Sequence, residues 1–166
     1  MTSLPDLMRR LVDFETFDEW FGSVPAWPVG IAKVVGQPWE FAEEGMNHIV
    51  MAFGQQDTEG GFITEIETLL AFRSKHPDRV SWRVGSPKGR MLGECSLMLS
   101  SVYNKPLVVH DTPLDWLRAG CKGVWPVDDE SIDRLRDLRA VSCSAQMETR
   151  IRRVLSRMPK FNRIIE

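Results

Sequence analysis

Between Phe62 and Phe72 hydrophobic and polar positions alternate with period two. Phe62, Thr64, Ile66, Thr68, Leu70 and Phe72 fall on one face, and Ile63, Glu65, Glu67, Leu69 and Ala71 on the other. One face is wetter than the other, which predicts an antiparallel strand with one side on a core. His48 to Phe53 is a shorter apolar run ending at Gly54, and the polar stretch QQDTEGG separates the two. Together they predict a β-hairpin with a loop longer than two residues. Val80 to Val84 predicts a third strand, and the apolar, β-branched run Val29 to Val35 another. PWEFAEEG, between these runs, reads as a helical turn or a loop.

Two other stretches carry helical spacing. Near the start, Leu7, Leu11 and Phe14, then Phe17 and Phe21, follow Pro5 at a first helical position, and Gly22 is a stop. SVPAWPVG then breaks regular structure with two prolines. From residue 93 onward short apolar runs and short helices alternate. Residues 93–102 predict a helix, and Leu107 to His110 a strand. Thr112-Pro113-Leu114-Asp115 is a capping box that opens a helix ending at Gly120. Gly123 to Val127 predicts a strand, with Pro126 marking its end or a sheet edge. Asp128 or Asp129 caps a helix holding Ile132, Leu135 and Leu138, and Ala140 to Cys143 is a further strand. Ser144 caps a longer helix whose Met147, Ile151, Val154, Leu155 and Met158 trace one apolar stripe, and Asn162 to Ile165 is a last strand. The alternation predicts a parallel sheet with right-handed crossovers. The expected fold is α/β, or α+β overall. An N-terminal helix and antiparallel hairpin lobe (1–92) precede a Rossmann-like βαβαβαβ parallel-sheet half (93–166), the two forming one compact domain.

Composition narrows the class. The chain has 166 residues, 43% hydrophobic and 27% charged, near the values of ordinary globular proteins and unlike disordered, collagenous or coiled-coil chains. No apolar run approaches the roughly 18–20 residues that span a bilayer. Acids in MTSLPDLMRRLVDFE stand where a signal peptide has its apolar segment, so neither membrane insertion nor secretion is expected. Cys95, Cys121 and Cys143 are far apart, odd in number and without metal-site spacing. They read as small buried residues of a cytoplasmic protein.

The net charge of −2 conceals an asymmetry. Residues 1–70 carry twelve acids against Arg9, Arg10 and Lys33, a net of −9; residues 71–166 carry eighteen bases against eleven acids, a net of +7. The acidic half can attract the basic half or a basic partner. The sharpest basic stretch is Arg150, Arg152, Arg153, Arg157, Lys160 and Arg163. It reads either as a solvated helix face or as a surface for nucleic acid or an acidic partner.

In an open α/β sheet ligands bind outside the carboxyl ends of the strands. Here those ends carry His110-Asp111, Pro126 to Asp129 and Ser142-Cys143-Ser144. A His–Asp pair can bind metal or move protons, but neighbours on a strand point to opposite faces. Cys143 near a helix start can be a nucleophile if a base reaches it, and His110 is the nearest candidate. Glu65 and Glu67 read as the wet side of the hairpin, and Asp128, Asp129 and Glu130 as acids at a helix start. GSPKGRMLG lacks the spacing of a phosphate-cradling loop.

The succession LVVHDTPLDWLRAGCKGVWPV, DESIDRLRDL, RAVSCSAQMETRIRRVL and NRIIE resembles the toprim domain of primases, topoisomerases and mobile-element primase–helicases. The Thr112-Pro113-Leu114-Asp115 helix start and the long helix after Ser144 correspond best, and residues 46–92 loosely resemble the segment before toprim in phage-type primases. The family's catalytic Glu falls on His110 or Asp111, and its Asp-x-Asp on Ser142-Cys143-Ser144. Two hydroxyls do not replace two carboxylates as magnesium ligands. The resemblance therefore implies a toprim-like shell with no catalytic residue, metal or cofactor, and a degenerate site at His110, Asp111, Ser142, Cys143 and Ser144. Its partner would be nucleic acid or a replication protein, bound through Arg150, Arg152, Arg153, Arg157 and Lys160. The alternative is an α/β protein-interaction module that does not bind nucleic acid.

Overall fold

The computed structural model describes residues 27–56 and 63–157. The helix expected over residues 5–22, most of the QQDTEGG turn and the strand expected at 162–165 lie outside the described residues. Five strands form an antiparallel sheet: β1 (Val29–Gly36), β2 (Trp39–Phe41), β3 (Asn47–Gln56), β4 (Ile63–Arg73) and β5 (His76–Trp82), in the order β2-β1-β3-β4-β5. The β3–β4 hairpin and β1 stand where the apolar runs of the sequence place them, whereas β5 covers His76–Trp82 in place of the strand expected from Val80 to Val84. β2 corrects the reading of PWEFAEEG, because Trp39 and Phe41 pair with Gly36 and Val34.

The hairpin is not regular. Phe53 faces Thr68 but Gly54 faces Ile66, so Glu67 has no residue opposite it. This bulge swings the chain by one position. Ile66 then packs beside Leu69 and Ala71 rather than with Leu70 and Phe72. Gly54 makes the close approach possible: a Cβ there would lie 1.7 Å from the Glu65 carbonyl oxygen.

One sheet face carries Ile31, Ile49, Met51, Phe53, Leu70 and Phe72; the other carries Ala32, Val34, Val50, Ala52, Leu69 and Ala71, with Trp39. Trp39, on edge strand β2, donates from Nε1 to the Ser81 carbonyl of β5 at 3.2 Å. Laid flat, five strands would hold those edges about 19 Å apart. The hydrogen bond therefore requires the sheet to curl around its small-residue face, as barrels do.

The second half contains β6 (Met91–Leu92), α1 (Glu94–Tyr103), β7 (Leu107–Val108), α2 (Pro113–Arg118), β8 (Trp125–Pro126), α3 (Asp129–Asp133), β9 (Val141–Ser142) and α4 (Ala145–Leu155). The Rossmann-like βαβαβαβ half is not formed. β8 pairs antiparallel with β6, and the parallel contacts are two residue pairs between β7 and β9 and one bridge, Val109 to Val124. The strands here are two residues long, and Pro126 removes a ladder donor. The longer β-branched and aromatic runs go to the antiparallel sheet instead. The fold is mixed α+β, dominated by that sheet.

The two halves share a core. Leu92, Leu114, Trp116, Leu117 and Trp125 pack on the Phe53 face of the sheet. Trp27 meets Trp116 edge-to-face at 5.1 Å, and Trp82 stacks on Trp125 at 6.4 Å. The indole N–H groups of Trp27 and Trp116 donate to the carbonyls of Ala52 and Gly123, so burying the rings strands no donor. Gly93, with φ +79°, is needed at this seam: its Cβ would sit 2.0 Å from the Gly123 carbonyl oxygen. A second core under α4 joins Leu107, Val109, Val124, Ile132, Met147 and Ile151. Among the described residues no helix is long and apolar enough to cross a membrane.

Candidate functional site

Thr112 caps α2 by accepting from the Asp115 N–H at 3.1 Å, and its hydroxyl donates to the Asp115 carboxylate at 2.7 Å. Pro113 stands at the first helical position, where its missing N–H costs nothing. Asp128 and Ser131 form a reciprocal capping box on α3. Ser144 caps α4 by accepting from the Met147 N–H at 3.0 Å.

These caps place the degenerate-site residues. Val109 N–H donates to the Ser142 carbonyl, which sets the ends of β7 and β9 side by side. Asp111 then accepts a 2.8 Å hydrogen bond from the Ser144 hydroxyl. His110 is drawn away: its Nε2 donates to the Lys122 carbonyl at 2.8 Å. Ser142 is exposed on β9. Asp111 and Ser144 are thus joined, while His110 holds a loop.

Cys143 stands where β9 meets α4. Burial pushes its thiol up, the charges of Glu148 and Asp111 push the same way, and Arg152 opposes them. A nucleophilic cysteine needs the reverse. Burial pushes the Cys121 thiol up to about 12. Among the described residues no three His, Cys, Asp or Glu side chains gather so as to hold a metal ion. The pair Asp111–Ser144 anchors the start of α4.

Helix α4 buries Met147, Ile151 and Val154 and turns its arginines outward. Asp129, at the start of α3, collects three of them: Arg150 at 3.2 Å, Arg153 at 3.5 Å and Arg157 at 3.6 Å. Arg152 pairs with Glu148 one turn earlier at 2.7 Å. One carboxylate against three guanidiniums leaves a positive excess. The side chains of Arg152, Arg153 and Arg157 remain 78%, 61% and 62% exposed, whereas Arg150 is 31% exposed. Lys160 lies outside the described residues.

A second charged cluster joins β4 to the start of α1. Arg90 bonds both oxygens of Glu67, at 3.1 and 3.0 Å, and reaches Glu94 at 2.8 Å; Arg134 meets Glu94 at 2.6 Å. Arg90 also stands 5.6 Å from the centre of the Phe53 ring. Glu67 is not a free member of a wet face: the bulge brings it to Arg90, tying the acidic half to the basic one. Burial alone would raise the Glu94 carboxyl, but hydrogen bonds from Arg90 and Arg134 outweigh it and hold the group below the usual range. The same bonds, Glu94 first, outweigh burial and raise Arg90. The spacing of Arg90 and Glu94 is a local signal, but no local signal links Glu67 and Arg134 to them; the tertiary fold does.

No protein-family model matches the chain, and no curated protein or solved structure matches it either.

Proposed function

We propose that this protein is a non-catalytic binder of nucleic acid in a replication or mobile-element setting in the cytoplasm, and that Arg152, Arg153 and Arg157 contact the phosphate backbone. The observation that carries the reading is the exposed arginine row of α4, held by only two carboxylates, Asp129 for Arg153 and Arg157 and Glu148 for Arg152. Ion pairs of this kind position guanidiniums without neutralising all of them. The resemblance of the sequence to toprim domains points to the same partner class. The raised Cys143 thiol and the engaged Asp111 and Ser144 favour binding over catalysis.

Fluorescence anisotropy with labelled double-stranded DNA tests this. Three phosphate contacts predict an affinity about 40-fold weaker at 200 mM than at 50 mM salt. Arg152→Gln/Arg153→Gln/Arg157→Gln should abolish binding while the protein still melts cooperatively, since exposed ion pairs add little stability, and it leaves Arg150 to hold Asp129. Parent-like binding by that variant would show the arginine row to be only a solvated face.

A second reading rests on α1. Met98, Leu99, Val102 and Tyr103 are 39%, 41%, 70% and 64% exposed and recur at helical spacing. Such an apolar stripe suits a protein partner. No DNA binding even at about 50 mM salt would overturn the first reading and leave this one.

A further inference from the structure

The curl of the sheet creates an open end that the sequence does not announce. Around it stand Gln37 from the β1–β2 turn, His48 on β3, Arg73 at the end of β4, and His76, Arg79 and Ser81 on β5. They enclose a cavity of about 280 Å3. That is the volume of roughly nine water molecules, enough for a phosphate or diphosphate group. Barrel mouths are common ligand positions.

The lining is one-sided in charge. It contains two arginines and two histidines and no carboxylate. Asp78, the one acid on β5, is not part of the wall. Among the described residues neither Arg73 nor Arg79 forms an ion pair, whereas Arg150, Arg152 and Arg153 on α4 all do. Arg73 is half-buried. His48 is anchored by Nδ1, which donates to the Met46 carbonyl at 2.9 Å and leaves Nε2 as its other polar atom. Gln37 adds an uncharged donor, while the Ser81 hydroxyl lines the wall with its proton given to the Ala71 carbonyl at 3.2 Å. Unpaired guanidiniums around a concave, carboxylate-free space match the demands of a phosphoryl oxyanion. A chain with a net charge of −2 gathers this cationic rim in one place.

We infer that the open end of the curled sheet binds a phosphoryl group, with Arg73 and Arg79 as the charge-bearing contacts and Gln37, His48 and Ser81 around them. The site is separate from α4 and does not rest on that helix binding nucleic acid.

Isothermal titration with inorganic pyrophosphate at low ionic strength tests it. Saturable binding is expected, weakened at least tenfold by Arg79→Gln and by Arg73→Gln. Arg118→Gln, an exposed arginine of α2, should bind like the parent. Arg79 is exposed, so its variant should melt with the parent and report the site even if Arg73→Gln perturbs the fold. A short oligothymidylate added in competition separates the two sources of the group. Displacement of pyrophosphate identifies a backbone phosphodiester, and no displacement identifies a small phosphorylated compound. No binding of pyrophosphate by the parent, or parent-like affinity in both arginine variants, overturns the inference.

Discussion

Gly54 shows how one residue sets the course of a hairpin. Its missing side chain lets the Glu65 carbonyl approach, the strand slips by one position, and Glu67 turns to Arg90. An added methyl group would collide with the β4 backbone that pairs with this end of β3. Gly54→Ala should therefore lower stability by at least about 2 kcal/mol in urea unfolding. A loss under about 0.5 kcal/mol would mean that the bulge relaxes freely. The cysteines follow a similar local rule: with both thiols raised, Cys121 to about 12, neither is set up for nucleophilic work.

At the scale of elements, capping and ion pairs fix how helices meet strands. The caps of α2 and α4 are made by the residues their sequence positions assign, Thr112 and Ser144, and of the two candidates for α3 the structure takes Asp128. The junction of β4, β6, α1 and α3 depends instead on Glu67, Arg90, Glu94 and Arg134. Because the folded state holds Glu94 below the ordinary carboxyl range, the unfolded chain takes up its proton first as pH falls. The stabilisation is thus complete above the unfolded value of about 4.3 and is lost as pH drops through the lower folded value. Glu94→Gln should flatten this acid limb in melting curves recorded from about pH 6 to 3. An acid limb as steep as the parent's would place the titration elsewhere.

At the scale of the whole molecule, the curled sheet is pinned edge to edge by Trp39 and Ser81, and its Phe53 face holds the second half through an aromatic seam. Replacing the indole donor removes a hydrogen bond worth about 1 kcal/mol together with packed area. Trp39→Phe should cost about 1–2 kcal/mol and speed amide exchange in both β2 and β5. Faster exchange in β2 alone would show the two edges to be independent. The cationic opening and the arginine row of α4 are products of different levels: the first exists only because the sheet curls, the second because one helix has a polar face.

The amino-acid pattern by itself determined the hairpin, strands β1, β3 and β4, and helix α1, but only the end of β5, which runs over His76–Trp82 and not from Val80 to Val84. It also determined the capped starts of α2 and α4 and the buried stripe of α4. Each of these follows from side-chain period or from a cap within four residues, and such short-range physics is written along the chain. It also exposed the α4 arginines, because they fall off the stripe. Only the tertiary structure decided that the second half is not a parallel sheet, since two-residue strands take whichever neighbour the core supplies. It alone directed Glu67 to Arg90 and Ile66 to the opposite face, because a bulge depends on a close contact with the partner strand. It alone gathered Gln37, His48, Arg73 and Arg79 around one opening. These residues belong to different strands, and no periodicity links them; the closure of the sheet does.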